Sequence, residues 1–301
     1  MEQCNKFIIG AGITGLIYGF YHPEYIVLGE EIGGQIANGS IGPMYLHKDK
    51  FTTQFLLDLG IDAEVKKINI AFIKDNEICQ DVPKECKVEY FKKSRGLGDK
   101  YDCSNLPDTM LNCGKLHFEA YDISWSEIID KLKWKVKIFP FNVEYVNPTQ
   151  SFLKLKGEDE FLKYDELIST IPLNALIKIC NKQDWSMLDN TTCDICYAIS
   201  RKNTYNCDYQ YLYVIDKDKP YYRITLQDDG LVVYEFTGQY SLEELRRKHP
   251  ELDIEDVKNV PYAKIIENKD YKEYYGIRLL GRYSQINQRI KTEKICGVAQ
   301  Q

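Results

Sequence analysis

With 301 residues the chain can bury a large core and has room for two lobes, since single domains commonly hold about 100 to 200 residues. Its formal net charge of −6, with lysines and arginines dispersed along the chain, argues against a nucleic-acid-binding surface as its main business. No apolar run reaches the ~20 residues of a membrane span, and Met1 to Lys6 is too short and polar for a signal peptide, so the expectation is a cytoplasmic protein whose ten cysteines remain thiols.

The first strong pattern is Phe7-Ile8-Ile9-Gly10-Ala11-Gly12-Ile13-Thr14-Gly15-Leu16, an apolar strand that breaks into glycines and resumes as a helix. Such a turn cradles phosphate. Gly10 permits the sharp bend, Gly12 lets a pyrophosphate approach the backbone, and Gly15 lets the helix pack close to the strand, whose partner helix offers its N-terminal N–H groups to the anion. The helix is expected to stop at His22-Pro23, because proline lacks the donor and disfavours helical geometry before it. A second strand, Tyr25 to Leu28, follows and leads to Glu30, placed about 20 positions after the glycines, where a carboxylate accepts hydrogen bonds from a ribose. Gly33-Gly34-Gln35 brings backbone beside the same pyrophosphate from the other side.

Phe51, Phe55, Leu56 and Leu59 have helical spacing, closed by Gly60. From about Val65 to Phe118 short apolar runs alternate with Lys, Asp and Cys without a clear period, and Ser94-Arg95-Gly96-Leu97-Gly98 reads as a loop tip. Ser124-Trp125-Ser126-Glu127 predicts a capped helix start. Short strands are expected at Val136 to Phe139 and Val143 to Val146, a hairpin from Phe152 to Tyr164, and a central strand from Leu167 to Thr170, with Pro172 opening the next helix. Cys193 and Cys196 form the chain's CxxC, without the second pair or histidines that zinc would want. Tyr209 to Phe236 is strand vocabulary interrupted by two turns, Glu243 to His249 reads as a solvated helix face, and Val260 to Lys264 as a strand returning to the first domain.

Taken together, the glycine turn, the acidic strand end and the Gly-Gly pair resemble the flavin-binding signature of the amine oxidase, protoporphyrinogen oxidase and UDP-galactopyranose mutase superfamily. Ser40-Ile41-Gly42-Pro43-Met44-Tyr45-Leu46-His47 resembles the segment laid along the flavin ring. Leu167-Ile168-Ser169-Thr170-Ile171-Pro172 resembles the strand end that returns the chain to the FAD domain. Leu280-Gly281-Arg282-Tyr283-Ser284-Gln285-Ile286-Asn287 resembles the C-terminal Gly-Arg motif, where a helix start meets the flavin. The order of these motifs matches as well. The chain departs from the pattern in a short Leu28 to Gly33 segment, with Gly29 where the acidic residue normally stands, and in lacking, beyond Tyr283, the further aromatic residues that mutases carry after Gly-Arg.

The resemblance implies an α/β protein: a discontinuous Rossmann-like FAD domain (residues 1–64, 120–180 and 270–301) with an inserted mixed α and β substrate lobe (65–119 and 181–269). FAD would be held by Gly10, Ala11, Gly12, Ile13, Thr14, Gly15, Glu30, Gly33, Gly34, Gln35, Gly42, Pro43, Met44, Val143, Thr170, Gly281, Arg282 and Asn287. Arg223, on a strand that relatives aim at the active site, would clamp an anionic group of a small-molecule substrate, beside His47 and Tyr45. The implied activity is hydride transfer from a small organic substrate to flavin N5. Its alternatives are a mutase-like isomerisation, which would require two diphosphate-binding arginines, and nucleotide binding without catalysis.

Overall fold

Phe7, Ile8 and Ile9 are all buried because the strand they form, β1 (Lys6–Ile9), lies in the middle of a parallel sheet. The computed structural model describes residues 5–37, 45–98, 102–103, 117–181, 188, 192–205, 207–227, 230–267, 269–286 and 291–301. Gly10 ends β1 at φ +109°, where a Cβ would be strained, and α1 (Ile13–Tyr21) follows, stopping at His22 as the proline requires. The crossover returns as β2 (Tyr25–Leu28), in parallel register with β1 from Lys6↔Tyr25 to Ile9↔Leu28.

The rest of that sheet comes from distant parts of the chain. Glu166–Ser169 pairs with the other edge of β1, Ile277–Leu279 lies beyond it, and Ile138–Phe139 flanks β2, all parallel. The Glu273–Tyr274 strand closes one edge antiparallel. Both faces are covered, which is why these strands read as continuous apolar runs. On one face Ile8, Val27 and Ile168 pack with α1 and the Lys50–Leu59, Trp125–Lys135 and Thr292–Ala299 helices. On the other, Phe7, Ile9 and Leu167 meet the Leu173–Ile179 helix and the small Val143–Asn147, Phe152–Leu155, Phe161–Lys163 sheet. Leu16 and Ile17 are fully enclosed, each burial contributing about 2 kcal/mol.

A second sheet of nine strands forms the lobe. Its order runs from Ile254–Ile265 through Thr192–Ser200, Val232–Thr237, Tyr221–Leu226, Tyr211–Val214, Val65–Lys74 and His117–Asp122 to Tyr45–His47, with Glu77–Cys79 paired to Val65–Lys74. The Val260 to Lys264 stretch therefore does not return to the parallel sheet. It is the end of a twelve-residue strand in the lobe, antiparallel to Thr192–Ser200, and the chain recrosses only afterwards. Ser94 and Arg95 differ from the sequence reading too: rather than an exposed tip they are buried, following the Lys84–Lys93 helix. Arg95 is held by Nε donation to Ile265 O (3.0 Å) and Nη1 donation to Ser94 Oγ (2.9 Å). Cys193 lies opposite Lys264 across the strand pair, while Cys196 is fully buried in the cluster on the other face of the sheet. Alternation along the strand thus separates the two thiols, and both are free.

Candidate cofactor and active site

At the carboxyl ends of β1 and β2 the backbone is drawn together closely. Gly33 N donates to Ala11 O (2.7 Å), and Gly12 bridges to Gly33 in parallel fashion. A Cβ on Gly34 would stand 3.1 Å from Gly12 Cα, and one on Gly15 only 2.1 Å from Gly10 O. A Cβ on Gly12, by contrast, would meet nothing within 4 Å. The open side of the turn is therefore the side of Gly12. There α1 begins with no side-chain cap, leaving the first-turn N–H groups of Ile13, Thr14 and Gly15 for an anion.

Thr170 Oγ1 donates to Ile9 O and Gly10 O (3.0 Å each), tying the end of the Glu166–Ser169 strand to the turn. Gly281, at φ +101°, lies against Thr14, so close that a Cβ there would stand 3.0 Å from Thr14 Cγ2. This sets the Arg282–Gln285 helix beside the glycine turn. Ser284 Oγ donates to Ser169 O (2.9 Å) and pins that helix to the central strand. Glu30 is exposed at the end of β2, where its carboxylate accepts from Asn142 Nδ2 (2.7 Å) and its N–H donates to Asn142 Oδ1 (3.3 Å), bringing the neighbouring Val143 to the same edge. Gln35 lies in the short Gly34–Ile36 turn of helix. Gly42, Pro43, Met44 and Asn287 lie outside the described residues.

The lobe presents an aromatic face beyond this cleft. His47 stacks on Phe118 (4.2 Å between centroids), Phe118 lies 6.2 Å from Tyr211, and Tyr45 meets Tyr211 edge-on at 6.3 Å. Arg223 Cζ is 5.4 Å from the Tyr211 ring, so His47, Tyr45 and Arg223 line one row. The Arg223 guanidinium, however, already has a carboxylate. It pairs with Glu235 on the adjacent strand through both Nε and Nη2, and the other Glu235 oxygen accepts from Tyr222 Oη (2.7 Å). Burial disfavours charge on Arg223, but the fully enclosed Glu235 outweighs it and holds the guanidinium charged.

Sequence reading missed the other charged groups of this face. Lys264 Nζ sits 3.6 Å from the Tyr222 ring centroid and 6.0 Å from that of Tyr90. Burial pushes its ammonium well below the ordinary lysine value; Glu235 opposes that shift, and Arg223 and Arg95 add to it. Glu235, Arg223, Tyr283 and Arg282 all act electrostatically on Tyr197, and Tyr283 Oη donates to Ala263 O (3.0 Å). The cationic face of the lobe and the Gly281-Arg282 corner of the cleft are thus contiguous. A separate cavity of about 250 Å³, lined in part by Tyr25, Glu166 and Arg278, lies at the opposite end of the parallel strands, away from the carboxyl ends where such sheets bind ligands. Among the described residues no His, Cys, Asp and Glu cluster could hold a metal ion, and no helix is long and apolar enough to cross a membrane.

No family model and no curated protein matches the sequence. Solved structures do match its fold along nearly the whole chain. Reduced UDP-galactopyranose mutase superposes with a TM-score of 0.65 at 12% identity, covering 98% of this chain and 92% of that one. For cyclohexylamine oxidase from Brevibacterium oxydans the values are 0.66, 11%, 99% and 97%. The chain has the amine oxidase-like fold. A CLA-producing fatty acid isomerase from P. acnes shares it too, with a TM-score of 0.63 at 12% identity and coverage of 100% and 98%. Since an oxidase, a mutase and an isomerase all carry this amine oxidase-like architecture, the fold alone does not choose the reaction.

Proposed function

We propose that the protein is an FAD-dependent oxidoreductase that removes a hydride from a C–N or C–C bond of a small organic substrate. The observation that carries the reading is the cleft at Gly12: four separate segments of chain, ending in the glycine turn, Gly33-Gly34, Thr170 and Gly281-Arg282, meet around an opening that a Cβ at Gly12 would enter. Its donor chemistry fits a dinucleotide. The uncapped α1 N–H groups suit the pyrophosphate, the Glu30 carboxylate at the end of β2 suits a ribose, and Val143 would offer its backbone to the adenine. Gly42 to Met44 would lie along one face of the flavin and Arg282 at its far end. The division that follows is a cofactor domain from residues 1–64, 120–180 and 270–301 around a lobe of 65–119 and 181–269, with the Tyr45–His47 strand reaching into the lobe's sheet.

FAD when bound supplies the acceptor of a hydride equivalent, chemistry that no side chain offers. The chain's own part is to bind, orient and exclude water. The Arg223–Glu235 pair, cross-braced by Tyr222, fixes the shape of the lobe face. The tyrosine rings supply apolar, water-excluding walls, and burial raises the hydroxyls of Tyr90, Tyr197 and Tyr211 above the usual tyrosine range, so they stay protonated and uncharged at neutral pH. No protein base is needed for a substrate amine that arrives neutral.

A mutase-like isomerisation is the second reading, and one observation favours it: beside the half-buried Arg223, the buried Arg95 supplies a second arginine whose charge acts on Tyr90. Anaerobic mixing separates the two. Bleaching of the flavin by candidate substrates supports oxidation, whereas turnover of UDP-galactofuranose only after dithionite reduction supports the mutase. A purified protein that binds no flavin would instead favour a role in nucleotide binding without catalysis.

A further inference from the structure

The lobe face beside the cleft is unequal in charge. The charged groups acting on Lys264 are one carboxylate, Glu235, and two guanidinium groups, Arg223 and Arg95. Glu235 is already committed: both of its oxygens are taken, one by Arg223 and the other by Tyr222. Arg95 is anchored by Ile265 O, the carbonyl next to Lys264 in the chain, and its guanidinium lies over the Phe91 ring at 3.8 Å. Among the described residues Lys264 Nζ has neither an ion-pair nor a hydrogen-bond partner; its neighbours are the faces of Tyr222 and Tyr90. A cation in such a place is costly unless something anionic joins it. The Gly281-Arg282 corner of the cofactor cleft is connected to this face through Tyr283 and Ala263.

We infer that Lys264, with Arg95 behind it, is a recognition site for a carboxylate on the substrate. The inference rests on the flavoenzyme reading for what lies next to the site, and on the charge and geometry of the lobe for the ligand class. A carboxylate entering over Tyr222 gives Lys264 the charge-assisted partner it lacks, at the distance such bonds favour, and the tyrosine walls hold the apolar remainder of the molecule. A substrate that presents an ammonium first would meet like charges. A diphosphate suits the site less well, because Glu235 already neutralises one of the cations. The substrate class is therefore an organic acid, such as an amino or hydroxy acid, or an unsaturated acid.

The test is calorimetric titration of the protein as purified with a matched set, benzoate, benzyl alcohol, benzylamine and UDP, while bound FAD is assayed separately by the absorbance released on denaturation. Benzoate should bind at least tenfold more tightly than benzylamine or benzyl alcohol, and more tightly than UDP. Lys264→Met should weaken benzoate tenfold or more and leave benzyl alcohol unchanged, Lys264→Arg should retain most of the affinity, and Lys133→Met, on the outer face of its helix, should change nothing. Absence of benzoate binding, preference for benzylamine or UDP, or equal benzoate affinity in Lys264→Met would overturn the inference. If benzoate binds in a Lys264-dependent way to a protein without flavin, the carboxylate site stands and the flavoenzyme reading falls; a flavin-loaded protein indifferent to benzoate gives the reverse.

Discussion

Gly12 and Gly15 sit three residues apart in one turn and answer differently to the same added atoms. Gly12 has φ −71° and ψ 172°, extended backbone that any residue adopts, and a Cβ there meets no protein atom within 4 Å. Gly12→Val should therefore fold almost as well as the parent, with a stability change within about 0.5 kcal/mol, as for surface substitutions. The space its methyl groups enter is the space assigned to the pyrophosphate. FAD affinity should fall at least 100-fold, about 2.7 kcal/mol. Gly15→Ala reverses the pattern, because its Cβ would lie 2.1 Å from Gly10 O and 3.2 Å from Thr170 Oγ1. Forcing α1 away from β1 should cost on the order of 1–3 kcal/mol. Urea denaturation followed by circular dichroism gives the first quantity, and titration of the apoprotein with FAD the second. Wild-type FAD affinity in Gly12→Val, or a loss of stability equal to that of Gly15→Ala, would refute the placement of the phosphate.

Other substitutions probe the remaining parts. Glu235→Gln leaves Arg223 without its buried counter-charge and should destabilise by about 3–5 kcal/mol, read as a lower urea midpoint; an unchanged midpoint would mean that the pair is solvated. Gly281→Ala forces a side chain to φ +101° and against Thr14, costing about 1–3 kcal/mol, and should lower FAD affinity; parental affinity would detach the Gly-Arg corner from the cofactor. Lys93 donates to Asp216 O (2.6 Å) and Val214 O (3.2 Å), yet burial lowers its pKa from 10.5 to about 8. Between those values the unfolded chain binds the extra proton, so stability should rise with pH across that window and be lowest below it. Comparison of urea midpoints at either side of the window should show this rise in the parent and its loss in Lys93→Met.

The elements around the glycine turn were legible because each has a local cause. The glycine turn, the proline after α1, the Gly60 stop and the central strand before Pro172 are encoded within a few residues, and all appear where the sequence puts them. The lobe was legible as strands but not as a site. Arg223 faces Glu235 across a hairpin, and Cys193 faces Lys264 across strands distant in sequence, only because each pair takes a particular register. In the sequence Lys264 stands among other lysines and nothing marks it. Arg95 lies in a Gly-flanked stretch with the composition of an exposed turn, and only docking against the end of the Ile254–Ile265 strand buries it. Alternating Tyr and β-branched residues from Tyr209 to Phe236 were the available hint that the sheet has two buried faces, and so that any charge upon it would need a partner.

The central claim is that one elongated, anion-bearing cofactor lies across Gly12, Gly34 and Arg282. Equilibrium titration of the apoprotein with FAD, monitored by flavin fluorescence and compared with NAD, tests it most directly. The account predicts saturable binding of one FAD per chain, far tighter than NAD. Failure to bind FAD by a folded protein, or a preference for NAD, would contradict it.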